Sequence, residues 1–247
     1  MKNKKKVLLL SIVFLMILFG SMNLSKAQEI KTKIYTCIED SYVSEENINE
    51  NYGYSGLLYA GMYQYFDGEY HHDVCISFLK FDIMERPYKL DNIKEIYLEI
   101  YSNNMWSYGT PFILSAFTVS SNWDENTITY INSPIYDTYI HSVDIIDQAI
   151  LYQFNFTSSA WSSSLFDEFG QTDSISFYFR IEGTITADML FTFASREWHS
   201  GVLASKLYVE YEVEEEESKK IFGFMMHILI GISCLSIVVI VYKIRNK

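Results

Sequence analysis

Between Gly61 and Asp73 the chain reads Gly-Met-Tyr-Gln-Tyr-Phe-Asp-Gly-Glu-Tyr-His-His-Asp. Rings such as Tyr63, Tyr65, Phe66 and Tyr70, held on a connection by a rigid scaffold, could stack on the C–H faces of a sugar. The interleaved Gln, Asp and Glu would accept its hydroxyl protons. The same pattern also fits a β-hairpin whose tyrosines decorate a sheet, in a chain with 20 of them. Trp106 and Tyr108, within Asn103 to Gly109, are expected in a turn between two strands. They offer a second candidate platform, or rings packed against the end of the fold, or a protein contact.

Other chemistry is thinner. His71 and Asp73 point the same way along a strand and could share an ion, whereas His72 faces the opposite side. Calcium fits better in the acid- and Asn-rich stretch from Glu39 to Asn51, where oxygen ligands abound, although no EF-hand spacing is present. No nucleophile elbow, HExxH helix, P-loop or dinucleotide glycine pattern occurs, so no catalytic residue is assigned. Carboxylate pairs such as Asp124 with Glu125 and Asp167 with Glu168 are too common in an acidic chain to signal a glycosidase. Cys37 and Cys75 could form a disulfide if their strands are neighbours, and Asn155-Phe156-Thr157 is a glycosylation sequon.

The elements that would position these groups are strands. Leu207, Val209, Tyr211 and Val213 alternate with Tyr208, Glu210 and Glu212, the signature of a half-buried antiparallel strand. Ile96, Leu98 and Ile100 repeat it, as do Ile175, Phe177, Phe179 and Ile181. Further strands are expected at Ile34 to Ile38, Ile76 to Ile83, Phe112 to Val119 and Met189 to Ala194. A single helix is expected near Ser159 to Phe169. So many short strands, punctuated by Asn, Gly, Ser and Asp, predict an all-β domain over residues 28–213, a jelly-roll-like β-sandwich.

The two ends predict where that domain sits. Residues 1–27 combine a basic start, Met-Lys-Asn-Lys-Lys-Lys, with an apolar run from Val7 to Met22 and small residues Ser25 and Ala27, as in a cleaved signal peptide. Ile221 to Tyr242 lacks Asp, Glu, Lys and Arg, and a helix of that length rises about 33 Å, enough to span a hydrocarbon core. Residues 214–220 form a charged stalk before it, and residues 243–247 a basic tail with Lys243, Arg245 and Lys247 that favours a cytoplasmic C-terminus. The expectation is a single-pass type I protein of the cell membrane with its N-terminal domain outside. All 31 acidic residues lie between Glu29 and Glu217, with only nine basic ones, a net charge of −22 for the ectodomain. Such a charge excludes nucleic acid as a partner.

Four ordered segments resemble the DNRLRE domain, also classified as carbohydrate-binding module family 96 and related to repeats of disaggregatase proteins. The first is Asp40-Ser41-Tyr42-Val43 with Asn51-Tyr52-Gly53 and Leu57 to Gly61. The others are Ser77 to Asp82, Asn122 to Tyr130, and Phe193-Ala194-Ser195-Arg196-Glu197, followed by a closing strand. The resemblance implies a β-sandwich and glycan binding. Its motif positions Asp40, Lys80, Asp82, Trp123, Glu125, Thr127, Arg196 and Glu197 read as structural: Trp123 pins a loop to the core, Thr127 and Thr129 start a strand, and the charges pair. With Asp40 they could instead hold a cation.

The sequence therefore points to a surface-displayed module that binds an envelope or extracellular polysaccharide without catalysis. The alternatives are an adhesive or structural ectodomain that binds protein, and a polysaccharide-degrading enzyme.

Overall fold

The computed structural model describes residues 28–107, 112–145, 151–156, 172–182 and 189–214, together with 228–233, 243 and 245. Among them run ten strands: β1 (Gln28–Ser44), β2 (Leu57–Phe66), β3 (Tyr70–Asp82), β4 (Ile93–Ser107), β5 (Phe112–Val119), β6 (Tyr136–Ile145), β7 (Leu151–Asn155), β8 (Ser174–Glu182), β9 (Met189–Ala194) and β10 (Lys206–Glu214). Every strand expected from alternation is present.

The strands join into one large antiparallel sheet in the order β1-β10-β4-β9-β2-β3-β8-β5-β6, with β7 also on β4 and β1 also on β3. Two long strands make it sandwich-like. β4 pairs with β10 and β7 through Tyr101, then with β9 from Ser102, with a register shift between Ser102 and Asn104. β1 lies beside β10, where the Cys37 amide donates to the Ser205 carbonyl at 3.1 Å, and then pairs with β3 after a shift between Cys37 and Glu39. Such irregularities bend a strand, and here they carry each from one layer to the other.

The core lies between the layers. Leu98, Ile100, Phe154, Leu207 and Val209 come from one side, and Phe81, Phe177, Phe179, Phe191 and Phe193 from the other. Phe154 meets Phe179 edge-on at 5.6 Å and Tyr152 meets Phe191 at 5.2 Å, the arrangement ring quadrupoles prefer. A second apolar cluster lies under the loop after β5, where Trp123 and Ile128 cover Val43, Phe78, Phe117 and Tyr178. Trp123 thus pins its loop as expected, with its indole N–H donating to Ser176 Oγ at 3.1 Å.

Several expectations are corrected. Thr127 and Thr129 start no strand: Asp124 Oδ1 accepts from the Asn126 amide at 2.7 Å, and the Asp124 carbonyl accepts from the amides of Thr127 and Ile128, so the segment closes as a turn. Trp106 lies within β4, opposite Leu190, rather than in a turn, and Tyr108 lies outside the described residues. Cys37 and Cys75 are buried free thiols. Their strands are neighbours, but Cys37 faces Phe81 and Cys75 faces Ser44, which separates them by about 20 Å along the ladder, whereas a disulfide needs Cα atoms within about 7 Å.

The sheet belongs to one compact unit, Ile30–Glu212; Met1–Glu29 and Val213–Lys247 form a second. In the second unit residues 228–233 are helical. Among the described residues no helix is long and apolar enough to cross a membrane. The expected signal peptide, the rest of the expected span, most of the stalk and the helix near Ser159 lie outside them.

Candidate functional site

The stretch from Gly61 to Asp73 is the hairpin of β2 and β3. Its register sets Tyr63 opposite Asp73, Tyr65 opposite His71 and Phe66 opposite Tyr70. Paired residues in an antiparallel ladder share a face, so tyrosines two apart on β2 line up on one side. Gly61 lets β2 change partners there. Its φ is +126°, and a Cβ would stand 2.0 Å from the Met189 carbonyl oxygen and 2.4 Å from Ile181 Cδ1.

A cleft of about 530 Å³ opens beside this hairpin, lined by Tyr42, Tyr52, Tyr59, Tyr63 and Tyr65 with Gln64, Asn103 and Thr192. Tyr42 and Tyr52 stack at 4.2 Å, and Tyr59 meets Tyr42 edge-on at 4.9 Å. At its floor Asp73 is buried and fully engaged. Ser44 Oγ donates to it at 2.8 Å, the Glu46 amide at 3.2 Å and the Tyr63 hydroxyl at 3.0 Å. Burial raises the pKa of Tyr42, and burial with the Asp73 charge raises that of Tyr63. Tyr65 is pushed up to about 12, first by its hydrogen bond to Glu46. These phenols therefore stay protonated; Tyr63 and Tyr65 give their protons to Asp73 and Glu46, and their oxygens keep acceptor capacity toward the cleft.

Of the six aromatic residues singled out from sequence, Tyr63 and Tyr65 line this cleft. Phe66 and Tyr70 sit at the hairpin tip, ring to ring at 5.1 Å and largely exposed. The side chain of Trp106 and all of Tyr108 are not among the described parts. Tyr42, Tyr52 and Tyr59 also line the cleft and were not singled out from sequence, although each lies inside a quoted motif segment. Tyr42 and Tyr52 were hidden by their separation in sequence from the 61–73 stretch, whereas Tyr59 sits on β2 just before it.

His71 and Asp73 do not share a site. His71 Nδ1 lies 3.1 Å from Glu46 and Nε2 3.0 Å from Asp67, with its ring stacked on Tyr65. Among the described residues no group of three or more His, Cys, Asp or Glu is placed to hold a metal.

The motif charges do meet, away from the cleft. Arg196 ion-pairs with Glu125, its amide donates to Asp40 Oδ2 at 2.7 Å, and its Nε lies 2.9 Å from Glu197, too poorly aligned for a directed hydrogen bond. Lys80 bridges Glu39 at 2.8 Å and the Trp123 carbonyl at 2.5 Å, and lies over the Trp123 ring. Asp40 is pushed up to about 8, chiefly by burial, and among the described residues its Oδ1 has no hydrogen-bond partner. Both facts favour a neutral carboxyl. The Asn51 side chain donates to the carbonyls of Glu125 and Ile128, both at 2.7 Å, and Gly53 is required because a Cβ would lie 2.0 Å from the Glu125 carbonyl oxygen. Asp82 stands apart, capping the Met84 amide at 2.9 Å, and Thr127 is confined to its turn.

The sequence profile of carbohydrate-binding module family 96 matches residues 31–211, all of the sheet but the outer ends of β1 and β10. The chain belongs to carbohydrate-binding module family 96. No curated protein matches it. The family 96 motif residues thus form most of the lock that ties the start of the domain, the Trp123 loop and the turn before β10 together.

Proposed function

We propose that this family 96 domain is displayed outside the cell, held by a single membrane span over 221–242, and binds an envelope or extracellular polysaccharide in the tyrosine cleft without catalysis. The observation that carries the reading is the cleft itself: five tyrosines around a floor fixed by Asp73, with amide and hydroxyl groups at its sides. Flat rings with a few convergent polar groups are what sugar recognition requires. Binding rather than chemistry is supported by the family and by the engagement of Asp73, whose oxygens are taken up by internal donors. The hydropathy of 221–242 and the basic tail support the anchor and its orientation.

The test is a glycan array probed with the detergent-solubilised full chain, with and without calcium. Selective retention is expected, and substitution of Tyr59 or Tyr63 by Ala should weaken it at least tenfold. Silence across the array in both conditions would sink the proposal. A second reading, adhesion to a protein, is favoured by the exposed Phe66 and Tyr70 pair. It predicts a stoichiometric partner in pull-downs that is lost from a Phe66→Ser, Tyr70→Ser chain.

A further inference from the structure

We infer that the cleft selects glycans without acidic groups, such as hexoses and N-acylated hexosamines, and rejects uronic acid and sulfated polymers. The inference rests on the carbohydrate reading of the cleft and names its ligand class.

Recognition of a carboxylated or sulfated sugar calls for a cation within hydrogen-bond reach. Among the described residues no Lys or Arg lines the cleft, and Asp73 is its one carboxyl group. Most basic side chains of the domain are committed elsewhere: Lys33 to Glu85, Lys80 to Glu39, Arg86 to Asp173, Lys94 to Glu212, Arg180 to Glu182 and Arg196 to Glu125. The segments of 30–212 outside the described residues contain no Lys or Arg at all.

The surroundings carry the opposite sign. Glu46 and Asp67 flank Tyr65 through His71, and Glu50 and Asp73 both act on Tyr52. A uronate would enter against these charges and find no counter-charge to offset its lost hydration. A protonated amino sugar gains little from Asp73, because Ser44, Glu46 and Tyr63 already fill its acceptor sites and it is 1 % exposed. What the cleft presents is ring faces and neutral polar groups: phenol oxygens, the Asn103 amide and the Thr192 hydroxyl. That inventory suits a sugar bearing hydroxyl or acetamido groups.

The experiment uses the full chain in detergent and pairs of polymers that differ only in charge. Alginate and polygalacturonate are compared with their carboxyl-reduced forms, alongside a panel of neutral glucans, mannans, galactans and chitin oligomers, at low and high salt. The expected result is retention of at least one uncharged polymer, at least tenfold above any acidic one, unchanged between 50 and 500 mM salt on the order of experimental error. A Gln64→Lys chain should gain affinity for acidic polymers. Acidic polymers retained as tightly as uncharged ones, and released by Tyr63→Ala, would overturn this inference while leaving carbohydrate binding in place. Retention of no polymer overturns both.

Discussion

Arg196 is the hinge of the motif lock, because the buried Glu125 carboxylate has it as an ion-pair partner and Asp40 accepts its amide proton. Removing one member of such a pair strands the other in low dielectric. An Arg196→Met chain is expected to lose about 2–3 kcal/mol, discounted for the partial exposure of the guanidinium, as read by urea denaturation. Asp40 adds a pH dependence of definite sign. Its folded pKa is raised, so between the ordinary carboxylate range and about 8 the folded chain binds a proton that the unfolded chain releases. Its contribution is therefore most favourable at low pH and is lost as pH rises toward 8; Glu125 is shifted the same way, chiefly by burial. Urea midpoints should fall between pH 5 and pH 8, and Asp40→Asn should flatten that slope. The pairing of these charges was readable from motif residues alone, but which charge met which was not. That depends on Asp40 and Arg196 being brought together across 156 positions of chain.

At the scale of elements, alternation located the strands because one face of each is buried, and period-two burial leaves its mark in residue type. The 120–135 loop defeated the same logic. Thr127 and Thr129 have strand character, but the local hydrogen bonds of Asp124 capture the backbone first. The cleft was legible only in part, since Tyr63 and Tyr65 lie on the hairpin while Tyr42 and Tyr52 arrive from β1 and the loop after it. Gly61 is the joint on which this depends. Gly61→Ala would place a methyl group into the Met189 carbonyl at a left-handed φ, and should cost about 4 kcal/mol or more or prevent folding. Circular dichroism and expression yield check this, with Gly68→Ala, at a φ of +128° but in open space, as the milder control.

For the whole molecule, charge is the governing quantity. A domain with nine basic and 31 acidic residues repels itself, and screening relieves that repulsion. Thermal denaturation of the chain should therefore shift upward by a few degrees between about 20 and 300 mM NaCl. A chain stabilised chiefly by surface ion pairs would shift down. One feature of the sheet bears on how such a module would work under load. β10 lies between β1 and β4, bonded to both. Tension on its C-terminal end runs along the strand, at right angles to the hydrogen bonds on either side. Those bonds are then sheared together rather than unzipped singly, so a tether drawn from residue 212 is gripped by two neighbours at once. Pulling from the end of β10 should therefore demand more force than peeling β6 from the opposite edge.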